Sequence, residues 1–510
     1  MPNKKKVMLI ILDGVGAAPA SQGNAVVLSN PKNLTRLWST FPHTYLITSG
    51  EAVGLPEKTK GNSEVGHLNI GAGRVVTQTL PRINKSIKNG GYKKNSILWD
   101  SLMHVIKYRS NVHLMGCISD GSVHSHINHL IATLEFFAEN NFKGQVYFHL
   151  FTDGRDTPPD SGRKYITTLQ EVIDSLGIGT ISTICGRAFA MDRGERWERT
   201  QKSYDLIFKG IGNKYSNWNE AIDNAYRNKI SDEYIEPSLI VNNGIEGIVK
   251  ENDAILFLNF RADRAIQLSR AIEEEGFNKF QTVSYKNIFF ASMVEYMKKF
   301  PKRILFPKEY INSPLGKVIS TYGLRQLRIA ETEKFPHVTY FFNGGMPIQY
   351  PGEDRIQVPS PSVATYDLKP EMSLLEILEI LRYRIETDMY DFIVLNIANG
   401  DMVGHTGNLA ASIKSMQIVD YVTNELVRLF TARDGVVIVT ADHGNVEEII
   451  NLQSGDIDTE HSTNPVPAII IDPAQSTRGL PYGALKDIAP TVLKYMGIPL
   501  PTEMTGKSLI

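Results

Sequence analysis

Residues 7–14 read VMLIILDG, a short apolar run, Val7–Leu12, followed at once by Asp13 and Gly14. An uninterrupted apolar run of this length is typical of a strand buried on both faces of a parallel sheet. The same pattern recurs along the chain, and the further runs are Val112–Met115, Val146–Leu150, Thr180–Ile184, Ala254–Leu258, Phe392–Ile397 and Val436–Thr440. With amphipathic helices such as Ser373–Ile385 between the runs, the sequence predicts an α/β protein.

Polar loops follow these strands, and in open α/β sheets ligands bind beyond the carboxyl ends of the strands. The loops near the two ends of the chain are rich in metal-ligating side chains: Asp13, Asp401, His405, Asp442 and His443. The loops in the middle are rich in cations: His124, Arg155, Arg187, Arg193, Arg261 and Arg264. This separation predicts two α/β domains, one inserted into the other. We expect residues 1–76 and 311–510 to form the discontinuous outer domain, and residues 77–310 to form the inserted one.

Composition restricts the function. A chain of 510 residues exceeds the usual size of one core, which favours two domains. A formal net charge of -1 gives no overall field that would attract nucleic acid or an anionic membrane. The basic start and the apolar run after it indicate a buried strand rather than a signal peptide, since the run stops at Asp13. We therefore expect a soluble, cytoplasmic protein without nucleic-acid or membrane partners, with Cys117 and Cys185 as small buried side chains.

The metal-type ligands occur at informative spacings. Asp401 and His405 are four residues apart, so one helical turn can place both on the same face, and His461 follows later in the motif EHST. A second set of candidates is Asp13, Asp442 and His443. Oxygen and imidazole ligands favour manganese, zinc, magnesium or cobalt, and mixed sets suit manganese well. Each aspartate alone could belong to a simple turn, and each histidine could be an ordinary polar side chain. Similar ligands at three strand ends favour a metal site.

Ser63 lies in TKGNSEVGHLNIGAGR, residues 59–74, a polar loop that leads into a possible helix. The free N–H groups of a helix N-terminus favour an anion there, whereas capping of the helix is the simpler role for a serine. A divalent ion lowers the pKa of a bound water from 15.7 to about 7, so a hydroxyl beside such an ion can become a nucleophile. We therefore predict that Ser63 carries a phosphoryl group.

A series of motifs occurs in a specific order: LDGVG, GNSEVGHLNIGAGR, VHSHINHL, FTDGRDTPP, GRAFAMDRGERWER, NFRADR, ETEKFPHVTYFFNGG, DMVGHTG, TADHGN and EHSTNPVP. In these motifs the whole chain resembles the 2,3-bisphosphoglycerate-independent phosphoglycerate mutases of the alkaline phosphatase superfamily. The resemblance implies an alkaline-phosphatase-like metal-binding domain interrupted by a substrate-binding domain. It also implies that the substrate is phosphoglycerate and that the chain, a monomer, interconverts 3-phosphoglycerate and 2-phosphoglycerate in glycolysis and gluconeogenesis. The reaction would pass through a phosphoserine on Ser63, with two divalent ions, of which manganese is favoured.

The same resemblance implies a role for each candidate residue. One ion would be held by Asp401, His405 and His461, and the other by Asp13, Ser63, Asp442 and His443. The substrate would be bound by His124, Arg155, Asp156, Arg187, Arg193, Arg261, Arg264 and Lys334. The catalytic residues would be Ser63, Lys334 and Asp156, the last exchanging protons with the substrate hydroxyls. Two alternatives stay open, a related phosphatase or phosphopentomutase and a non-catalytic sensor of phosphorylated metabolites. A mutase must exclude water, so domain closure is also expected.

Overall fold

The seven apolar runs form strands, and in the part of the chain that the structure describes these lie in two separate sheets of eight strands each. The computed structural model describes residues 4–242, 244–475 and 479–510. In it the chain divides into two units, the first comprising the residues up to Pro81 together with Tyr310–Ile510, and the second comprising Arg82–Glu309. The first break falls a few residues after the expected position 76, and the second falls beside position 310. The fold class is α/β, as the sequence predicts, and the functions of the two domains stay predictions.

The sheet of the first unit is centred on the strand Val7–Leu12. This strand pairs in parallel with Phe392–Ile397 on one side and with Val436–Thr440 on the other. All six of its residues are buried, which explains why its sequence is apolar without interruption. Because the three strands run in the same direction, their carboxyl ends meet at one edge of the sheet. The loops that begin at Asp13 and after Ile397 and Thr440 are therefore neighbours.

The remaining strands of this sheet extend it on both sides. From one edge to the other, the order is Glu353–Val358, Gln326–Glu331, Phe392–Ile397, Val7–Leu12, Val436–Thr440, Val466–Ile471, His43–Ile47 and Gly483–Ala484. The helices of this unit are Ala25–Leu28, Lys32–Thr40, Ser63–Ala72, Leu315–Thr321, Leu374–Glu386, Asn399–Gly404, Leu409–Thr431 and Ile488–Tyr495. The helix predicted over Ser373–Ile385 is thus confirmed to within one residue at each end.

The sheet of the second unit has the same plan. Its order is Phe289–Ser292, Ala254–Phe257, Val112–Ile118, Val146–Thr152, Thr180–Gly186, Ser238–Asn242 and Asn213–Tyr215, and Ile245–Glu246 pairs with Ser238–Asn242. Alternate residues of its central strand enter different cores, with Leu114 on one face of the sheet and Met115 on the other. Cys117 and Cys185 are buried and unbridged, as expected.

Helices cover both faces of this second sheet. They are Thr79–Lys88, which begins before the break at Pro81, then Ser96–Tyr108, Ile127–Glu139, Gly162–Leu176, Arg187–Ala190, Trp197–Lys209, Trp218–Arg227 and Ile266–Glu273. Within the described ranges, none of the helices in either unit is long and apolar enough to cross a membrane.

Candidate active site and metal centre

Ser63 is the first residue of the helix Ser63–Ala72, and it does not cap that helix. The cap is Asn62, whose side chain accepts a hydrogen bond from Val65 N at 2.9 Å. The capping role considered for Ser63 is therefore wrong, because the preceding asparagine fills it. The Ser63 hydroxyl instead lies 3.0 Å from His443 Nε2 and 3.2 Å from Asp13 Oδ1. Only 6% of Ser63 is exposed, so this hydroxyl belongs to a buried polar cluster.

Three histidine rings converge on the carboxylate of Asp401. His405 Nε2 and His461 Nε2 lie 3.1 and 3.0 Å from Asp401 Oδ1, and His443 Nε2 lies 4.0 Å from it. Each ring has its Nδ1 atom near a backbone carbonyl: Thr459 O at 2.7 Å for His405, Gly61 O at 2.8 Å for His461 and Gly444 O at 3.3 Å for His443. A carbonyl only accepts hydrogen bonds, so Nδ1 carries the proton and Nε2 of each neutral ring presents a lone pair.

Such a set of lone pairs needs a cation. His461 Nε2 lies only 3.1 Å from His405 Nε2, so without a proton or a metal ion these two acceptors and the Asp401 oxygen would repel one another. Contact with Asp401 raises the pKa of His405, in keeping with this demand for positive charge. One ligand atom each from Asp401, His443 and His461 falls within 4.8 Å of the others. Imidazole and carboxylate ligands of this kind suit a divalent metal.

Asp13, Asp442 and Lys334 form the second half of the cluster. Lys334 Nζ donates to Asp13 Oδ1 at 2.8 Å, to Asp401 Oδ2 at 2.5 Å and to Ser63 Oγ at 2.7 Å. Burial opposes the charge of Lys334, but Asp13 and Asp401 outweigh it and raise the pKa of Lys334. Burial raises the pKa of Asp13, and the nearby Asp442 adds to that effect. Three carboxylates thus face one ammonium group in a buried site.

The donor set fits a divalent metal at this second position as well. Asp442 Oδ2 is buried, and its nearest polar neighbours are imidazole nitrogens, His67 Nδ1 at 3.2 Å and His443 Nε2 at 3.6 Å. A buried anionic oxygen is costly unless a cation neutralises its charge. His443 Nε2 also lies 3.5 Å from Asp13 Oδ1, so these side chains face one another. The three carboxylates also carry more negative charge than the single ammonium group of Lys334 can neutralise, which again indicates a cation site.

His67 and Asn396 belong to this cluster, although sequence reasoning did not select them. His67 Nδ1 contacts Ser63 O at 2.8 Å and Asp442 Oδ2 at 3.2 Å, and Asn396 Nδ2 donates to Asp13 Oδ2 at 2.6 Å. The Asn396 amide also contacts His67 Nε2 at 3.0 Å, so both ring nitrogens are engaged. His67 follows Ser63 by four residues on one helix, a spacing that could have revealed it. Asn396 is a polar residue inside the otherwise apolar strand Phe392–Ile397, and this exception to the pattern could have identified it as part of the site.

In the second unit, Arg187 is the buried centre of the arginine cluster. Its Nη1 atom donates to Asp153 Oδ1 and to Asp156 Oδ2, both at 2.5 Å, and only 2% of the residue is exposed. Asp153 also accepts hydrogen bonds from Ser119 Oγ at 2.9 Å and from Asp156 N at 3.0 Å. His124 Nε2 lies 3.5 Å from Asp156 Oδ2. Burial and the positive charge of Arg187 lower the pKa of His124 to about 4.

The other arginines surround this centre and are more exposed. Arg193 Nη1 donates to Asp263 Oδ2 at 2.8 Å, Arg261 Nε lies 3.2 Å from Asp263 Oδ1, and about half of each arginine side chain is exposed. Burial lowers the pKa of Arg264, and the positive charges of Arg187, Arg193 and Arg155 lower it further, so these cations converge. Arg155 points partly elsewhere, since its guanidinium contacts Glu233 at 3.3 Å.

The structure thus brings the predicted residues of each unit together. In the first unit the cluster contains Asp13, Ser63, Lys334, Asp401, His405, Asp442, His443 and His461. In the second unit it contains His124, Arg155, Asp156, Arg187, Arg193, Arg261 and Arg264, and it adds Asp153 and Asp263 as the carboxylates that hold the arginines. Asp263 stands between two arginines in NFRADR, which is the signal that could have identified it.

The fold and this site agree with the family comparison. Residues 5–500 match the model of the metalloenzyme superfamily, so the chain is a metalloenzyme by family. A protein of Moorella thermoacetica, named 2,3-bisphosphoglycerate-independent phosphoglycerate mutase, is 46% identical over 508 residues, which cover 99% of this chain and 98% of that protein. A protein of the same name from Clostridium beijerinckii is 44% identical over 510 residues, covering 100% of this chain and 99% of its own.

A solved structure gives the same result. The crystal structure of Leishmania mexicana phosphoglycerate mutase at low cobalt concentration is 30% identical in sequence and covers 99% of this chain and 98% of its own, with a TM-score of 0.59. The chain therefore belongs to the family of the 2,3-bisphosphoglycerate-independent phosphoglycerate mutases. The resemblance inferred from the motifs is confirmed, and the chain is an enzyme of this isomerase family.

Proposed function

We propose that the chain interconverts 3-phosphoglycerate and 2-phosphoglycerate by transferring the phosphoryl group to Ser63 and back. The observation that carries this proposal is the position of the Ser63 hydroxyl. It lies within 3.2 Å of Asp13 Oδ1, His443 Nε2 and Lys334 Nζ, and its helix is capped by another residue. A buried hydroxyl with this surrounding is available as a nucleophile.

Two divalent ions, of which manganese is favoured, would be held by the ligands of the first unit. These are Asp401, His405 and His461 for one ion, and Asp13, Ser63, Asp442 and His443 for the other. When bound, such ions supply positive charge for the phosphoryl oxygens and lower the pKa of a neighbouring hydroxyl. The complete burial of the Asp13 and Asp442 carboxylates and the lone pairs of the three Nε2 atoms support this assignment.

Lys334 and Ser63 perform the transfer. The ammonium group of Lys334 lies 2.7 Å from Ser63 Oγ, so it can stabilise negative charge on the transferred group and on the attacking oxygen. The raised pKa of Lys334 keeps this group charged at neutral pH. Ser63 releases its hydroxyl proton to solvent before the substrate binds and acts as an alkoxide in both half-reactions. Ser63 Oγ attacks phosphorus, the bond from phosphorus to the glycerate oxygen breaks, and that oxygen receives a proton from Asp156. The products of this half-reaction are phosphoserine and glycerate.

The arginine cluster retains glycerate between the two half-reactions. The substrate carries a carboxylate and a phosphate, and guanidinium groups bind such planar or multivalent anions through paired hydrogen bonds. Arg187 is fixed by two carboxylates, whereas Arg193 and Arg261 are exposed enough to contact a ligand. A substrate without a carboxylate would leave these cations without their partner.

Asp156 exchanges protons with the two glycerate hydroxyls. Its carboxylate is oriented by Arg187 at 2.5 Å, and about a quarter of its side chain is exposed to the space around the cluster. It donates a proton to the oxygen that leaves phosphorus and accepts one from the hydroxyl that attacks phosphoserine. After glycerate has reoriented, the second attack forms 2-phosphoglycerate and frees Ser63. We further propose that the enzyme is a monomer and that it serves glycolysis and gluconeogenesis in the cytoplasm.

The test follows conversion of 3-phosphoglycerate to 2-phosphoglycerate by the purified full chain without added 2,3-bisphosphoglycerate. Turnover should be lost in EDTA and should return when manganese is restored. Activity that EDTA does not change would contradict the metal assignment. Release of inorganic phosphate as the main product would favour a phosphatase, and conversion of ribose 1-phosphate would favour a phosphopentomutase.

A further inference from the structure

Glu447 is a fully buried carboxylate beside the metal-type ligands, and the mechanism above does not use it. Only 1% of the residue is exposed, and it lies in the short helical turn Val446–Glu448 that follows the DHGN loop. Its four hydrogen-bond donors, taken together, come from three different loops. Oε2 accepts from Gly16 N and from Asn445 N, both at 2.9 Å, and Oε1 accepts from Asn464 Nδ2 at 3.0 Å and from Ser462 Oγ.

Each of these three loops carries a metal-type ligand. Gly16 follows Asp13, Asn445 follows His443, and Ser462 follows His461 directly. Two of the loops also pair with each other, since Ser462 N donates to Gly444 O at 2.9 Å. Glu447 is therefore the common acceptor for the chain segments that carry Asp13, His443 and His461.

The packing around Glu447 is close enough to require glycine at two positions. A Cβ atom on Gly16 would lie 2.3 Å from the Glu447 carboxylate, and one on Gly444 would also lie 2.3 Å from it. Both distances are far below van der Waals contact, so the loops can approach the carboxylate only as glycine backbone. The three loops thus fit this one side chain closely.

The four donors are neutral, and within the described part of the chain the ion pairs of the site do not include Glu447. Burying a carboxylate without a cation removes its hydration, and charge-assisted hydrogen bonds offset this cost. An apolar side chain of similar volume would fill such a place at lower cost. The carboxylate is thus suited to fixing the positions of several donors at once rather than to filling the core.

We infer that Glu447 is a positioning residue for the metal centre. It holds the loops of Asp13, His443 and His461 at the spacing that a bound divalent ion needs, and its own oxygens are occupied by the loop donors. This inference rests on the proposed function only in requiring that the cluster binds a divalent ion. Outer groups that orient metal ligands typically change metal affinity by about 10–100-fold when they are removed.

The test uses Glu447→Gln in the full chain, with Glu386→Gln, at the exposed end of the helix Leu374–Glu386 in the same unit, as the control. Glutamine keeps the shape but has only one acceptor oxygen, so it cannot accept from all four donors. Binding of Mn²⁺ to the chelator-treated protein, followed by the electron paramagnetic resonance signal of free Mn²⁺, should weaken by about 10–100-fold in Glu447→Gln. Mn²⁺ binding should stay unchanged in Glu386→Gln, and saturating Mn²⁺ should restore turnover in Glu447→Gln.

Ser462→Ala provides a second variant in case Glu447→Gln does not fold, because it removes one donor only and should weaken Mn²⁺ binding to a smaller extent. A purely structural role would lower the melting temperature without changing Mn²⁺ affinity. Unchanged Mn²⁺ affinity in folded Glu447→Gln, or in Ser462→Ala if only that variant folds, would overturn the inference. Absence of Mn²⁺ binding by the unsubstituted chain would instead overturn the proposed metal centre, and this inference with it.

Discussion

The metal-type cluster of the first unit and the arginine cluster of the second are built on opposite principles. In the first, Asp13, Asp442 and His443 are completely buried, and acceptor atoms outnumber the groups that can neutralise them. In the second, a buried Arg187 is held by carboxylates, whereas Arg193 and Arg261 are about half exposed. The first cluster is therefore fixed by burial and incomplete without a cation. The second cluster consists of partly exposed arginines around Arg187, which is buried and held by carboxylates.

The histidines of the two clusters show the same contrast. Contact with Asp401 raises the pKa of His405, whereas burial and Arg187 lower the pKa of His124 to about 4. One environment thus favours added positive charge, and the other opposes it. This is the arrangement expected if the first cluster binds cations and the second binds anions.

The largest effect is expected for Ser63→Ala. Loss of a nucleophile typically reduces turnover by about 10⁴-fold or more, so this variant should have almost no mutase activity. It should also yield no phosphoprotein when it is quenched during turnover with labelled 3-phosphoglycerate. Ser39→Ala, an exposed serine in the same unit, serves as the control and should behave as the unsubstituted chain. Full activity in Ser63→Ala would remove the catalytic role from the first cluster.

Lys334→Met tests the charge balance of the first cluster. Without the ammonium group, Asp13 and Asp401 lose their buried partner, which should reduce the free energy of unfolding by about 3–5 kcal/mol in EDTA. Added Mn²⁺ should reduce this loss, because it neutralises the same carboxylates. The measurement is chemical denaturation with and without Mn²⁺. Lys317→Met, at an exposed position, should change stability by less than about 0.5 kcal/mol. An equal loss in both conditions would contradict a shared role for lysine and metal.

Arg261→Ala tests the exposed part of the second cluster. Because a hydrogen bond to a charged group contributes about 1.5–3 kcal/mol, this variant should raise KM for phosphoglycerate by about 10–100-fold. Its stability should change by less than about 0.5 kcal/mol, since half of the side chain is exposed. Arg227→Ala, on a helix of the same unit, is the control and should leave KM unchanged. A stability loss as large as that of Lys334→Met would show that the two clusters are not built differently.

Much of the division between the metal-type cluster and the arginine cluster could be predicted from the sequence, because the apolar runs indicate where the strands end. Val7–Leu12, Phe392–Ile397 and Val436–Thr440 have the predicted bounds, and their parallel pairing brings the polar loops to one edge. The run at Val112–Met115 continues to Ile118 because Gly116, which interrupts the apolar pattern, is tolerated inside a buried strand. Local apolar content thus identified the strands, and topology determined which loops meet.

The rest depends on tertiary packing, which the sequence does not display. Nothing in the local pattern distinguishes Glu447 from Glu448, although one is buried among three loops and the other is partly exposed. The cap of the Ser63 helix was equally ambiguous, since Asn62 and Ser63 are both good capping residues. The backbone assigns that role to Asn62, which leaves the hydroxyl of Ser63 to the cluster.

The smallest effect concerns His124, whose environment should keep its ring neutral. The folded pKa of about 4 lies below the usual 6.5, so between these values the unfolded chain binds more protons than the folded one. The free energy of unfolding should therefore decrease as the pH is lowered through this window. Through this residue alone, the decrease from pH 7 to pH 5.5 should be about 1 kcal/mol. The His124 Hε1 resonance, assigned by its loss in His124→Asn, should not shift over that range, and the variant should lack this part of the pH dependence. A resonance that titrates near pH 6.5 would mean that the arginines do not act on His124. A neutral His124 ring offers one hydrogen-bond donor and one acceptor among the guanidinium groups, whereas a charged ring would add to their repulsion. The titration of His124 therefore tests whether the second cluster is organised around an anion.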